Sequence, residues 1–154
     1  MSYDPKPRTL IMRGVDALSR REYSRSELRR KLLRSCGEEE SADDVEEVLN
    51  TLESKGYLSN ARYAQSRVRT RAARYGNRRL AGELAMMGID SETISESLEQ
   101  AGDEFERART LWQRKFGKPP ADRRERDRQV RYLASRGFDF DVVSKLVSAD
   151  EQDA

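Results

Sequence analysis

Arg67, Arg71 and Arg74, with Arg78 just beyond Gly76, stand four, three and four residues apart, a spacing that puts at least the first three on one face of a helix. Arg25 with Arg29, Arg30 with Arg34, and Arg124 with Arg128 and Arg131 form similar pairs and triplets elsewhere in the chain. A guanidinium grips phosphate or carboxylate through two parallel hydrogen bonds, so such ridges suit the backbone of a nucleic acid or an acidic protein surface. Arginine outnumbers lysine 24 to 6, which fits either recognition chemistry or a general arginine-rich codon usage, so position carries more weight than the ratio. If roughly six of these arginines met phosphates, binding would be strongly salt-dependent and blind to base sequence. The candidate partner or nucleic-acid contacts are therefore Arg25, Arg29, Arg67, Arg71, Arg74, Arg78, Arg124, Arg128 and Arg131.

Other chemistry is poorly provided for. Histidine is absent, which removes the commonest general base and metal ligand, and the single Cys36 has no histidine to activate it. The clustered carboxylates lack a conventional metal spacing, and no Walker A or dinucleotide-binding glycine pattern occurs. Neither catalysis, nor a metal, nor a cofactor is expected.

Charge is segregated in blocks. The 30 basic and 28 acidic residues of the 154 leave a net charge of +2, yet residues 8–35 carry +6, 36–56 carry −7, 57–88 carry +6, 89–106 carry −7, 107–136 carry +8 and 137–154 carry −4. A period of about 50 residues is the range of stacked helical units, each too small to bury its apolar face alone. With 36% hydrophobic residues, burial has to be distributed in this way, and the near-balance of charge argues against disorder. The acidic segment around Glu38, Glu39, Glu40, Asp43, Asp44, Glu46 and Glu47 either faces a protein partner or pairs with the basic helices of its own repeat.

Helical spacing supports the division. Ile11, Val15 and Leu18; Leu28 and Leu32; Val45, Val48, Leu49 and Leu52 make three amphipathic helices. Tyr57, Ala61, Ala64, Val68, Ala72 and Tyr75, then Leu80 with Leu84, then Ile94 with Leu98, repeat the set. Phe105, Ala108 and Trp112, Val130 with Leu133, and Val143 with Leu146 and Val147 supply a third. Gly37, Gly56, Gly76, Gly88, Gly102, Gly117 and Gly137 follow these helices and read as left-handed caps. Ser24 with Glu27, and Ser41 with Asp44, read as capping boxes. No strand-like alternation appears. The expected fold is all-α, an elongated, curved tandem array of three three-helix repeats at 8–56, 57–102 and 103–148, with flexible ends at 1–7 and 149–154. No run approaches the ~20 apolar residues of a membrane span, and a cytoplasmic location is expected. A monomer is the expected state.

The run from Leu52 to Arg71, LESKGYLSNARYAQSRVRTR, continuing to Gly76, Arg79-Leu80 and Gly88-Ile89, resembles the central signature of the RecX family of bacterial recombination regulators. The run from Arg126 to Val143, RDRQVRYLASRGFDFDVV, resembles that family's end motif, and with Ala17-Leu18, Tyr23-Ser24, Leu28 and Leu32 the resemblance spans most of residues 10–147. Ser59-Asn60 departs from the acidic pair common in the family, although Ser or Asn preserves a helix cap. The resemblance implies a protein that lies in the groove of the RecA–single-stranded-DNA filament and inhibits its ATPase, strand-exchange and coprotease activities. Direct, weak, non-specific DNA binding is a separate expectation that rests on the arginine ridges. The competing reading is a stand-alone helix-turn-helix-like DNA-binding regulator.

Overall fold

The computed structural model describes residues 8–152, in which every regular element is a helix. In order these are α1 (Leu10–Arg20), α2 (Arg25–Arg34), α3 (Ala42–Ser54), α4 (Asn60–Arg71), α5 (Asn77–Met86), α6 (Ser91–Glu99), α7 (Glu104–Lys115), α8 (Arg123–Ser135) and α9 (Phe140–Gln152). The expected flexible segment 1–7 lies outside the described residues; at the other end α9 continues to Gln152. The chain forms two compact units, residues 1–63 and 64–154.

In the first unit α3 packs on both α1 and α2. Leu28, Leu32, Val45, Leu49, Leu52 and Leu58 are almost wholly buried, each such side chain contributing roughly 1.5–3 kcal/mol. The buried face of α1 is Leu10, Gly14 and Ala17, one position away from the expected stripe; Val15 is 41% exposed while Ile11 and Leu18 flank the core. Both expected capping boxes form. The hydroxyls of Ser24 and Ser41 accept from the Glu27 and Asp44 amides, and those carboxylates accept the Ser24 and Ser41 amides in return. Ser59 Oγ accepts from Arg62 N near the start of α4, and Asn60 Oδ1 caps a different helix by accepting from Arg25 N at 2.8 Å.

The second unit holds α4 from Ala64 onward together with α5 to α9. The buried positions at its start are Ala64, Val68 and Ala72, while Tyr57, expected on that stripe, is exposed because it precedes the helix. Around Trp112 a core of Ala108, Leu133, Phe138, Val143, Leu146 and Val147 closes α7, α8 and α9 together. The polar side chain of Gln129 is buried within it. Its Oε1 accepts from the Trp112 indole Nε1 at 2.8 Å and its Nε2 donates to the Lys118 carbonyl at 3.1 Å.

Five of the seven expected left-handed glycines have positive φ, but Gly37 and Gly76 do not. Gly76 instead caps the start of α5 where two backbones touch. Its amide donates to the Arg136 carbonyl at 2.8 Å and the Arg78 amide donates to the Gly137 carbonyl at 3.1 Å. A Cβ on Gly76 would lie 2.3 Å from Phe138 N, and one on Gly137, at φ +87°, 2.2 Å from Arg79 Cβ. This approach joins the second and third triplets into one body.

Candidate functional site

Arg25 and Arg29, one turn apart on α2, are turned onto α3. Arg25 Nη2 donates to Glu46 at 2.9 Å and to Asn50 Oδ1 at 2.8 Å, and its Nη1 lies 3.0 Å from Glu53. Arg29 also donates to Glu46 through Nε and Nη2. Hydrogen bonds from Arg29, and then Arg25, draw the Glu46 carboxyl from the usual 4.5 down to about 2. Arg13 pairs with Glu40 across the same unit, lowering that carboxyl as well. Internal pairing thus accounts for Glu40 and Glu46 of the acidic segment, whereas Glu38, Glu39, Asp43 and Glu47 are exposed.

The ridge expected along Arg67, Arg71 and Arg74, with Arg78 beyond Gly76, is broken by the end of α4 at Arg71. Arg67 is exposed with no side-chain partner among the described residues. Arg71 is half-buried and donates from Nε and Nη2 to the two oxygens of Glu83 at 2.9 and 2.6 Å, a planar fork that occupies its recognition edge. Arg74 sits in the following turn, its amide closing onto the Arg71 carbonyl, and its side chain is exposed. Arg78 is exposed at the start of α5. Arg124, Arg128 and Arg131 do share α8, around a shallow groove completed by Ala121, Asp122 and Glu125. Arg128 makes a 3.5 Å contact to Glu125; Arg124 and Arg131 make none to a carboxylate among the described residues. Five of the nine expected cations, Arg67, Arg74, Arg78, Arg124 and Arg131, are therefore exposed, with no side-chain partner for their guanidiniums among the described residues.

Arg107 escaped the sequence reading. Its Nε donates to the Ala72 carbonyl at 3.0 Å, Nη1 to Asn77 Oδ1 at 2.8 Å and Nη2 to the Tyr75 carbonyl at 2.8 Å. All three acceptors are neutral, and burial pushes its pKa down. Also missed were Tyr75, Arg79, Lys115, Phe116, Tyr132 and Arg136, whose rings and cations contact one another. A signal existed: Arg71-Tyr75-Arg79 and Arg128-Tyr132-Arg136 both place a tyrosine four residues from an arginine on either side.

No helix among the described residues is long and apolar enough to cross a membrane, and no group of three or more His, Cys, Asp or Glu is placed to hold a metal ion. Residues 59–98 match the second three-helix domain of RecX and residues 102–147 the third. The chain is 47% identical over 148 residues to Regulatory protein RecX of Ralstonia pickettii (strain 12J), covering 95% of this chain and 91% of the relative. It is 41% identical over 145 residues to Regulatory protein RecX of Herminiimonas arsenicoxydans, covering 94% of each. In fold it is similar to the crystal structure of RecX from Lactobacillus salivarius, with a TM-score of 0.74 at 23% identity over 93% of this chain and 97% of that one. With two tandem three-helix domains matched and near-full-length likeness to proteins of that name, the chain belongs to the RecX family.

Proposed function

We propose that this chain is a negative regulator of RecA recombinase. It binds in the groove of the recombinase–single-stranded-DNA filament and lowers ATPase, strand-exchange and coprotease activity. The observation that carries this reading is the 47% identity, over 148 residues, to a protein named Regulatory protein RecX. The open guanidiniums support it physically. Arg67, Arg74 and Arg78 in the repeat at 57–102, and Arg124 and Arg131 in that at 103–148, are exposed cations without a carboxylate partner among the described residues. A polyanionic filament offers many phosphates and acidic side chains to such a surface at once. The protein works by occupancy, as a cytoplasmic monomer without cofactor, and transforms no substrate of its own.

The test adds the purified chain to preformed RecA filaments at fixed salt and follows ATP hydrolysis and DNA occupancy together. Dose-dependent loss of hydrolysis is expected. Unchanged hydrolysis and occupancy at several-fold molar excess discards the reading, and tight binding to bare duplex without effect on the filament favours a stand-alone DNA-binding regulator.

A further inference from the structure

In the second unit three aromatic rings and five cations form one connected patch. The guanidinium carbons of Arg71, Arg79 and Arg136 lie 4.5, 4.2 and 5.5 Å from the centre of the Tyr75 ring. Arg136 also lies 5.3 Å from the Tyr132 ring, so it stands between the two tyrosines. Lys115 Nζ is 5.2 Å from Tyr132, whose ring meets Phe116 edge-on at 5.5 Å and 89°, and Arg128 lies 5.8 Å from Phe116. All these separations are within the reach of cation–π attraction. Two carboxylates face the five cations: Glu83 holds Arg71 and approaches Arg79 at 3.4 Å, and Glu125 approaches Arg128. Arg136 and Lys115 have none among the described residues, so the patch keeps a surplus of positive charge.

We infer that this patch of Tyr75, Arg79, Arg136, Tyr132 and Lys115 is a binding site for single-stranded nucleic acid. The chemistry selects that class of ligand. A single strand alternates phosphates with free base faces, and the patch alternates cations with aromatic and guanidinium planes on which bases stack. A duplex hides its base faces inside the helix, and an acidic protein surface supplies charge without planes. The site is held rigid across two helix triplets, because Gly76 and Arg78 bond to the Arg136 and Gly137 carbonyls and Arg107 clamps Ala72, Tyr75 and Asn77 from α7. The inference rests on the regulatory reading only for the relevance of a single strand, and its test contains no recombinase, so either can fail without the other.

The experiment measures fluorescence anisotropy of a labelled oligothymidylate with the full chain across a salt series. The Arg79→Gln/Arg136→Gln double variant should bind at least about ten-fold more weakly. Its log–log salt slope should fall by about 1.4, two phosphate contacts at ~0.7 each on a single strand. Arg79→Lys/Arg136→Lys should restore the slope while losing the preference for single strand over duplex, since an ammonium keeps the charge without the plane. Tyr75→Leu, which removes a ring and no charge, should weaken binding about three-fold or more at unchanged slope. Arg30→Gln/Arg34→Gln, which removes two exposed cations of α2, is the control and should bind like the parent. Thermal midpoints are recorded for every variant. Equal losses in the control and the Arg79/Arg136 pair reduce the binding to diffuse charge and overturn the site. So does a parent chain that holds duplex as tightly as single strand, or an Arg79→Gln/Arg136→Gln variant that binds like the parent.

Discussion

Nη2 of Arg107 lies 2.8 Å from the carbonyl of Tyr75, placing a half-buried guanidinium over the turn that ends α4. Its other donors satisfy the Ala72 carbonyl and Asn77 Oδ1. A cation spent on three neutral acceptors is a structural clamp, so Arg107→Met leaves partly buried oxygens unpaired and should cost about 2 kcal/mol. Arg107→Lys, with a single ammonium in place of the fork, should recover only part. Urea unfolding of the three proteins decides it; a methionine variant within about 0.5 kcal/mol of the parent removes the clamp.

The backbone contact beside that clamp makes a second, sharper forecast. Gly76→Ala drives a methyl to within 2.3 Å of Phe138 N, and Gly137→Ala meets Arg79 while also straining φ at +87°. Each should destabilise by more than about 2 kcal/mol, because backbone on both sides has to move. Gly82→Ala, in α5 with nothing within 4 Å of the new methyl, should instead stabilise by about 0.5–1 kcal/mol. Thermal melts that fail to separate these glycines in that order contradict the approach described.

Acid should loosen the first unit through Glu46. Its folded pKa, about 2, lies below the ordinary 4.5, so its contribution is fully present above 4.5 and is lost as pH falls from there toward 2. Glu40 is shifted the same way by Arg13 and adds to the trend. In Glu46→Gln the pair is already gone, so stability measured by denaturant unfolding at about pH 6 and about pH 3 should change less than in the parent. A steeper acid dependence in the glutamine variant contradicts the assignment.

Gln129 and Trp112 offer a test of the third core. Gln129→Leu strands the indole N–H and the Lys118 carbonyl and should cost about 2 kcal/mol. Adding Trp112→Phe removes the orphaned donor, and the double change should cost less than the sum of the singles. Because Trp112 is the single tryptophan, its emission reports the altered surroundings in the Gln129 variant directly.

Local signals in the sequence carried much of the architecture, and pairings between distant positions did not show. Ser24 and Glu27, Ser41 and Asp44, and the stripes through Leu28, Leu49 and Leu133 act within one helix, where spacing alone settles the geometry. Val15 failed because Ile11, Val15 and Leu18 describe an apolar face one step from the one that Gly14 opens to Leu52. The cationic ridge failed as a ridge for a comparable reason. One face shared by Arg67, Arg71 and Arg74 assumes a helix that runs to Arg74, and α4 stops at Arg71. Whether an arginine is open or spent depends on a carboxylate elsewhere, such as Glu46 for Arg29 or Glu83 for Arg71, and a single sequence does not display that pairing. The fold was therefore more legible than the site.

That distinction between spent and open guanidiniums yields the functional forecast. Reversing Arg25 and Arg29 to glutamate faces new carboxylates with Glu46 and Glu53, so the thermal midpoint should fall and any loss of activity would be a loss of fold. Reversing Arg124 and Arg131 breaks no ion pair among the described residues, and should leave the midpoint within a few degrees while weakening inhibition of the recombinase ATPase by more than about ten-fold. Arg67→Glu with Arg74→Glu should behave in the same way, whereas Arg71→Glu should unseat Glu83 and cost stability first. Potency is read from titrations against preformed filaments, with circular dichroism melts on the same preparations. Full potency in the Arg124/Arg131 reversal would exonerate α8 and move the contact to the remaining open cations. Loss of potency confined to the Arg25/Arg29 reversal, at an unchanged midpoint, would mean that the paired ridge of α2 opens its salt bridges to the partner.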